Sequence, residues 1–232
     1  LGLSLYDVLA GKAGLGRTES LNRTQTLGLL PNAQPEGLRG GVKYWDGQFN
    51  DARLALALAR TAAQHGALLA AISLRAHCVI NATGVWVDAL RQQDGEANRG
   101  DGRHPTKPMV APSQGIHMVV DREFLCGDTG LMVPKTADGR VLFAVPWLGK
   151  VILGTTDTPR NDLAREPQPF KEEVDFILSE AGRYLKRAPR RSDVRSVWVG
   201  LRPLVKPQND DGDNTKGLSR EHTVLVSRSG LV

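Results

Sequence analysis

The hydrophobic pattern between residues 115 and 155 predicts an antiparallel meander. Residues 115–121 alternate between apolar and polar side chains, which is the period of a strand with one buried face. Residues 131–134, 141–146 and 151–155 form three further short strands. They are separated by two sequences typical of hairpin turns, Ala137-Asp138-Gly139 and Leu148-Gly149-Lys150.

Two longer helices are predicted, at residues 170–185 and 52–65. The first carries its apolar side chains on one face, at helical spacing: Val174, Ile177, Leu178, Ala181 and Leu185. The second consists almost entirely of Ala, Leu and Arg, which favour a helix, with Asn50-Asp51 as its cap and Gly66 as its end. Because residues 52–65 are apolar on most sides, we expect this helix to be buried.

The remaining segments complete an α+β pattern. Strands are predicted at residues 40–49, 72–80, 197–201 and 222–227, a short helix at 86–91, and long polar loops at 92–113 and 208–216. The first 35 residues are predicted to be helical or irregular. Helices packed on an antiparallel or mixed sheet define the α+β class.

We divide the chain into three segments, residues 1–39, 40–91 and 92–232. The first is helical, the second joins a strand–helix pair to a strand–turn–helix, and the third is an antiparallel sheet with the helix at 170–187. Within the second segment, a helix and a strand almost meet at Ala70-Ala71, where no turn residue stands. We therefore expect residues to be missing at this junction, a hairpin for example.

Composition and charge narrow the possible classes of protein. The chain has 232 residues, 41% hydrophobic and 24% charged, which is ordinary for a globular protein. No apolar run approaches the roughly 20 residues that a membrane-spanning helix needs. No signal peptide is recognisable near the start, and the first residue, Leu1, suggests an excised piece of a longer chain. The net charge of +5 is too mild to indicate nucleic-acid binding and fits an anionic small molecule or an anionic membrane surface equally well.

The cysteine content favours a reducing compartment. Cys78 and Cys126 are the only cysteines, and two cysteines do not make a disulfide framework. We therefore expect free thiols and a cytoplasmic location.

The sequence Val-Ile-Asn-Ala-Thr-Gly-Val-Trp at residues 79–86 is a candidate binding turn. An apolar strand ends there in small residues before a helix begins, and such turns bring backbone N–H groups close to a ligand. A tight turn without a ligand explains the same residues equally well. The chain contains no G-x-G-x-x-G sequence, so a complete dinucleotide site cannot be derived from it.

Two single residues are candidates for chemistry. His117 lies on a predicted strand and shares with Val119 the face opposite to Ile116, Met118 and Val120, where an imidazole could act as an acid or base. A packed, hydrogen-bonded core histidine is the alternative. Arg202 precedes a proline at a strand end, and its planar guanidinium suits phosphate or carboxylate, although a salt-bridged surface arginine fits as well.

Other polar clusters favour structural roles. The sequence Gly-Thr-Thr-Asp-Thr at residues 154–158 could bind a ligand, but we favour a turn whose side chains bond to their own backbone. The basic run at residues 186–195 could touch anionic lipid, but a solvated helix end is the simpler interpretation. No cluster has metal-ligand spacing, and no residue pattern suggests a covalent nucleophile.

Six short sequences, in this order, resemble those of flavin-dependent glycerol-3-phosphate dehydrogenases. They are residues 40–54 (GGVKYWDGQFNDARL), 79–87 (VINATGVWV), 113–120 (SQGIHMVV), 146–158 with its PW and GTTD, 200–204 (GLRPL) and 219–222 (SREH). One position departs from the family, because Gln114 replaces the lysine of the family's S-K-G-x-H sequence. The family's N-terminal glycine-rich FAD sequence and its C-terminal flavin-binding segment have no counterpart here.

The resemblance implies the substrate-binding (cap) domain of a two-domain FAD-dependent oxidoreductase, with residues 40–91 bordering the FAD domain. The family oxidises sn-glycerol 3-phosphate to dihydroxyacetone phosphate, reduces FAD and passes electrons to a membrane quinone, as a peripheral protein on the inner face of the cell membrane. By this resemblance His117 and Arg202 line the substrate site, while Ala82, Thr83 and Gly84 face the flavin. A homodimer is compatible with the family, and no nucleic-acid partner is implied.

The resemblance also carries two expectations about the chain itself. Without the two missing flavin-binding segments, we expect this chain to retain little or no FAD and to be inactive alone. Two alternatives stay open: the substrate domain of a related flavin oxidase, acting on glycerophosphate or an amine, and a non-catalytic domain that binds anions.

Overall fold

The computed structural model describes residues 7, 9, 11, 14–97, 107–206 and 223–232. The chain divides into two compact units. One comprises the residues up to Thr26 together with Arg39–His77, and the other comprises Leu27–Leu38 together with Cys78–Val232. The segment boundaries predicted after residues 39 and 91 stay predictions.

The first unit contains a small antiparallel pair of strands. Strand β1 (Glu19–Asn22) pairs with β2 (Gly40–Lys43), in a register that places Glu19 opposite Lys43. Their side chains form an ion pair of 2.9 Å, which suits this cross-strand position. Helix α1 (Arg23–Leu29) follows β1 directly. The predicted strand at residues 40–49 therefore ends at residue 43, and a strand and a helix lie within the first 35 residues.

Helix α2 (Asp51–Gln64) forms where the sequence predicts it, but its burial was predicted wrongly. The Asn50 side chain accepts a hydrogen bond from the backbone N–H of Arg53 at 3.0 Å, and Gly66 follows the helix with a φ of 90°. No residue of α2 is buried. Leu54 and Leu58 share one face of the helix and Leu56 lies on the opposite face, and all three are exposed.

The second unit is built on a six-stranded antiparallel sheet. Its strands are β3 (Val110–Asp121), β4 (Leu131–Val133), β5 (Leu142–Trp147), β6 (Lys150–Gly154), β7 (Thr158–Pro159) and β8 (Ser196–Val205). Neighbouring strands run β4–β5–β6–β3–β8, and β7 also pairs with β3. The α+β class is confirmed. The predicted meander holds for β4, β5 and β6, but β3 lies beside β6 and not beside β4.

The hairpin turn predicted at Leu148-Gly149-Lys150 connects β5 and β6. Leu148 and Gly149 take φ values of 46° and 76°, the left-handed conformations that a two-residue hairpin requires. This turn sets the register in which Trp147 lies opposite Lys150 and Phe143 lies opposite Gly154.

Strand β3 is the central strand of the sheet. On one side it pairs with β8 along ten residues, from Val110 opposite Val205 to Val119 opposite Ser196. On the other side its second half pairs with β6, which places His117 opposite Gly154. Because β8 and β6 flank the same part of β3, side chains from three strands meet around His117.

Helix α4 (Lys171–Tyr184) covers one face of this sheet. Its residues Ile177 and Ala181 are almost fully buried, together with Leu185 just after the helix. They pack in one core with the even-numbered apolar residues of β3 and with β5 and β6: Ile116, Met118, Val120, Leu142, Ala144, Val151 and Leu153. The predicted helix and its apolar face are confirmed.

Three other predicted segments differ from the structure. Residues 72–80 form no strand; they are exposed throughout, and only Val79 makes an isolated bridge, to Leu231. Residues 223–227 of the predicted last strand are not in a strand, and His222 and the loop at 208–216 lie outside the described residues. In the predicted loop at 92–113, helix α3 (Val87–Ala97) continues to residue 97, and β3 begins at residue 110.

A single carboxylate explains why α3 and β3 lie together. Asp88 accepts hydrogen bonds from the backbone N–H groups of Met109 and Val110 at 3.0 Å, and it pairs with Arg91 at 2.6 Å. The first turn of α3 therefore holds the entry to β3, a long-range contact that polar composition alone does not reveal.

Candidate active site

His117 lies on the sheet face opposite to the α4 core, as the alternation of β3 predicted. Its imidazole rests directly on Gly154 of β6, where a methyl group would overlap the ring. Trp198 of β8 stacks on the imidazole, with ring centroids 5.3 Å apart and planes 17° apart. Phe143 of β5 reaches the ring from the other side, at 5.5 Å. The ring is thus held between two aromatic side chains and is half-buried.

Arg202 projects from β8 onto the same face. Its guanidinium lies over Gly115 of β3, where a methyl group would overlap three of the guanidinium atoms. One Nη donates to the backbone carbonyl of Thr156 at 2.9 Å, and the other donates to the hydroxyl of Thr155 at 2.7 Å. The side chain is half-buried, and these two bonds fix the plane of the guanidinium against the sheet.

The structure therefore brings His117 and Arg202 to neighbouring positions. Gly115, which supports the guanidinium, and His117 are two residues apart on one face of β3, about 7 Å along the strand. A permanent cation thus lies near an imidazole, a group that can accept or donate a proton. This pairing suits a small molecule that carries an anionic group and loses a proton, and the aromatic rings of Trp198 and Phe143 border it on the histidine side.

The segment at residues 154–158 was predicted wrongly as a turn bonded to itself. The Thr156 hydroxyl accepts from the backbone N–H of Ile116 at 3.1 Å and donates to Glu173 at 2.9 Å. Thr158 also donates to Glu173, at 2.7 Å, and Asp157 accepts from Ser113. The side chains bond to β3 and α4, because this segment crosses the sheet beside both elements.

Gln114, which stands where the family has a lysine, is part of a buried network of polar side chains. Gln114 is fully buried; its amide nitrogen donates to Glu173 at 2.7 Å, and its amide oxygen accepts from Arg160. Arg160 is 9% exposed, stacks on the ring of Phe170 and hydrogen-bonds to Asp162, which raises the pKa of the guanidinium. A neutral amide thus bridges a cation and an anion at the position where the family's S-K-G-x-H sequence has a lysine.

The turn at Ala82, Thr83 and Gly84 lies elsewhere in the same unit. Its three residues are exposed, and Gly84 takes a φ of 61°, which favours glycine. Gly84 lines a cavity of about 240 Å³ whose wall includes Leu201. Leu201 alternates with Arg202 along β8 and so projects from the other face of the strand. Gly84 thus lies beside the face of β8 from which Leu201 projects.

Sequence reasoning missed the residues that support the two candidates. Gly115 and Gly154 lie in predicted strands, where a glycine signals the close approach of another group. No local pattern points to Trp198, because His117 lies 81 positions away along the chain. Glu173 lies in the predicted helix at 170–185, and no local pattern indicates that it is only 4% exposed.

The basic run at residues 186–195 follows α4, and three of its arginines form ion pairs. Arg187 pairs with Glu123, Arg191 pairs with Asp175, and Arg195 pairs with Asp121 at 2.6 Å. The hydrogen bonds from Arg195 and Lys150 lower the pKa of Asp121 to about 2. Three of the arginines are therefore matched by acids on neighbouring elements.

Comparison with known proteins identifies the class of this chain. Residues 3–228 match the model of the FAD dependent oxidoreductase family, and the chain belongs to that family. Within it, the whole chain is 37% identical over 261 aligned positions to a protein named probable mitochondrial glycerol-3-phosphate dehydrogenase of Caenorhabditis elegans. It is also 37% identical over 268 positions to the mitochondrial glycerol-3-phosphate dehydrogenase of Bos taurus. The chain spans 35% of the length of each of these relatives.

Two solved structures have the same fold. Glycerol-3-phosphate dehydrogenase from Bacillus halodurans, complexed with FAD, matches with a TM-score of 0.65 and 30% identity over 81% of this chain and 42% of its own. L-alpha-glycerophosphate oxidase from Mycoplasma pneumoniae, with FAD bound, matches with a TM-score of 0.61 and 20% identity over 87% of this chain and 57% of its own. The fold predicted from the sequence, a domain of an FAD-dependent oxidoreductase, is confirmed.

The described residues show neither a membrane-spanning helix nor a cluster of metal-ligating side chains. None of the helices in these ranges is both long enough and apolar enough to cross a bilayer. Within the same part of the chain, no three His, Cys, Asp or Glu side chains gather as metal ligands would. Cys78 and Cys126 are both exposed free thiols.

Proposed function

We propose that this chain forms the substrate-binding part of an FAD-dependent dehydrogenase that oxidises sn-glycerol 3-phosphate to dihydroxyacetone phosphate. The observation that carries the proposal is the placement of His117 and Arg202 side by side on one sheet face, each resting on a glycine. The names of the relatives and the family membership support the choice of substrate and cofactor.

The substrate explains why both side chains are needed. Oxidation at C2 removes a proton from the hydroxyl and a hydride from carbon. In this reaction His117 accepts the hydroxyl proton as a neutral imidazole. Trp198 and Phe143 hold the ring so that the proton transfer needs no reorientation of the base.

Arg202 supplies the positive charge. Its guanidinium binds a substrate oxygen, either of the phosphate or of the C2 hydroxyl, and stabilises the negative charge that develops as the proton leaves. The bonds to Thr155 and Thr156 keep the guanidinium in one plane before the substrate arrives. A guanidinium fixed in advance lowers the entropic cost of binding the anion.

The residues proposed to face the flavin are Ala82, Thr83 and Gly84. When bound, FAD would supply the two-electron acceptor that takes the hydride from C2. The exposed backbone of this turn fits the approach of a flat cofactor, because no atom lies within 4 Å of a side chain placed at Gly84. The glycine-rich dinucleotide sequence is not part of this chain, so we propose that residues 40–91 border a flavin domain and that the chain alone retains little FAD.

The proposal extends to the electron acceptor, the membrane and the oligomeric state. We propose a membrane quinone as the electron acceptor and peripheral attachment of the parent enzyme to the inner face of the cell membrane. A homodimer and contact with anionic lipid are compatible with this arrangement. These partners rest on the resemblance described from the sequence; the names of the relatives support the substrate and describe those proteins as mitochondrial.

The test is flavin content and glycerol-3-phosphate-dependent dye reduction by the parent enzyme. Arg202→Ala and His117→Ala should keep the flavin and lose turnover by roughly 100-fold or more, as expected for an anion-stabilising group and a general base. Arg195→Ala and His65→Ala serve as matched controls, because both residues lie outside the site, and they should retain activity.

Each outcome has a distinct meaning. A yellow wild-type protein that ignores glycerol 3-phosphate would contradict the substrate and leave the flavoprotein class. Loss of activity in the two control variants would contradict the assignment of the site. A wild-type protein without flavin would favour a domain that binds anions without catalysis.

A further inference from the structure

Glu173 is the most completely bonded buried carboxylate that the described residues contain. It lies in the first turn of α4 and is 4% exposed. One carboxylate oxygen accepts from the hydroxyls of Thr156 and Thr158, at 2.9 and 2.7 Å. The other accepts from the Gln114 amide at 2.7 Å and from the backbone N–H of Phe170 at 3.0 Å. Four donors thus converge on an acceptor-only group.

The two threonines connect this carboxylate to the candidate active site. Thr156 is 1% exposed, and its hydroxyl is held from both directions, by Glu173 and by the N–H of Ile116. The carbonyl of the same residue accepts the hydrogen bond from Arg202. A chain of two contacts therefore joins the core side of the sheet, where α4 packs, to the guanidinium on the opposite face.

We propose that Glu173 is a positioning residue, which holds the guanidinium of Arg202 in its binding geometry by fixing the segment at residues 154–158. The inference deepens the proposed function, because it assigns a support to the anion-binding group of that site. Glu173 does not touch the substrate. Its effect reaches Arg202 through Thr156, whose hydroxyl it holds and whose carbonyl the guanidinium uses.

Replacement of the carboxylate by an amide should release this segment. In Glu173→Gln the NH₂ group must face either the two threonine hydroxyls or the donors of Gln114 and Phe170. In the first orientation the hydroxyls lose their acceptor, and in the second two N–H donors oppose the NH₂. The first orientation releases the segment at residues 154–158 directly. In the second, the repulsion from Gln114 and Phe170 pushes the side chain at position 173 away from its place against the two threonines, so the segment is held less firmly in either case.

A matched control lies on the same helix. Glu180 is 3% exposed, so its burial equals that of Glu173, but its described contacts are with Arg183 and the backbone N–H of Ala137. Glu180→Gln therefore removes a buried charge from α4 without touching residues 154–158. A purely structural effect of losing such a charge should appear equally in both variants.

The first measurement follows Arg202 directly in the 232-residue chain. In ¹⁵N relaxation spectra of the arginine Nε–Hε groups, Arg202 should be ordered in the wild type and in Glu180→Gln. In Glu173→Gln its order parameter should fall below about 0.6, the range of flexible groups. Arg195, on the surface, is the internal reference and should not change. This readout needs neither flavin nor turnover.

A second pair of variants keeps the inference testable if Glu173→Gln does not fold. Thr156→Val removes the hydroxyl and keeps the branched shape, and it should also loosen Arg202. Thr156→Ser keeps the hydroxyl and should leave Arg202 ordered. If Arg202 stays ordered in Thr156→Val and in any folded Glu173→Gln protein, the inference is wrong.

The second measurement separates this inference from the proposed function. In the flavin-loaded parent enzyme, Glu173→Gln should raise the KM for glycerol 3-phosphate by roughly tenfold, the size of one weakened charge-assisted hydrogen bond, while Glu180→Gln should not. Inactivity of the wild type towards glycerol 3-phosphate would contradict the function and leave the Arg202 spectra to decide the positioning role. Equal KM values in the two glutamate variants, with an active wild type, would contradict the positioning role alone.

Discussion

The glycine beneath Arg202 allows a sharp test of the site geometry. Gly115→Ala would place a methyl group inside the space that the guanidinium occupies, so the arginine must leave the sheet. It would then lose its bonds to Thr156 and Thr155, at 2.9 and 2.7 Å. The overlap involves three atoms at the far end of the Arg202 side chain, so this side chain can swing away, and the cost is the loss of its two hydrogen bonds.

The magnitude follows from two opposing effects. Hydrogen bonds from a charged donor contribute about 1.5–3 kcal/mol each, but a half-buried arginine regains much of this from water when it swings out. We take a net loss of about 2 kcal/mol for the pair. An alanine is favoured over glycine within a strand by about 0.5–1 kcal/mol. Gly115→Ala should therefore destabilise the chain by about 1–1.5 kcal/mol.

The sign should reverse once the arginine is absent. In an Arg202→Ala background the methyl group meets no guanidinium, and only the backbone effect remains. Gly115→Ala should then stabilise the chain by about 0.5–1 kcal/mol. Urea unfolding of the four proteins, followed by circular dichroism, gives both free-energy differences and their coupling of about 2 kcal/mol.

Gly200 provides the matched control for this cycle. It lies directly opposite Gly115 on β8, and no atom lies within 4 Å of a methyl group placed on it. Gly200→Ala should be neutral or slightly stabilising in both backgrounds. A Gly115→Ala cost that is the same with and without Arg202 would refute the placement of the guanidinium over Gly115.

Two further predictions concern His117 and the ion pairs at the end of β3. Gly154→Ala should displace the imidazole of His117, because the new methyl group would overlap the ring and lie 2.9 Å from Phe143. In the wild type the stacked Trp198 should shift the ring protons of His117 upfield, and in the variant these protons should move downfield in NMR spectra. Unchanged His117 shifts would show that the ring does not rest on Gly154. Asp121, with its pKa lowered to about 2, should stabilise the fold fully above pH 4 and lose this contribution as the pH falls towards 2. A carboxyl-carbon titration should show the pKa moving back towards 3.8 in Arg195→Ala and in high salt, and an unchanged midpoint would contradict the pairing.

The parts of the fold that could be predicted depend on local patterns. The alternation of β3 placed His117 on the face opposite to the core, and the helical spacing of α4 identified its buried residues. Both patterns repeat within a few residues, because burial of one face of a strand or helix is enough to produce them. The same holds for the hairpin between β5 and β6, whose turn residues take the required left-handed conformations.

The parts that could not be predicted depend on partners far away in the sequence. Glu173 resembles any acidic residue at the start of a helix, and its burial follows from Gln114, 59 positions earlier. Thr156 lies in a sequence whose composition is typical of a turn, but its hydroxyl forms hydrogen bonds with Ile116 and Glu173. A polar side chain such as Glu173 can be buried because hydrogen-bond donors from several other elements surround it. The periodicity of the local sequence does not reveal such distant partners.

The failure of the predicted strand at residues 72–80 has a physical cause of the same kind. A strand is stable only when neighbours satisfy its backbone groups, and the described residues offer this segment a single bridge, from Val79 to Leu231. The alignment with the Caenorhabditis elegans relative covers the whole chain in 261 positions, 29 more than its 232 residues. That relative therefore has at least 29 residues at internal positions where this chain has none. Residues 72–80 are exposed throughout, as expected of a segment whose backbone groups find a single bridge.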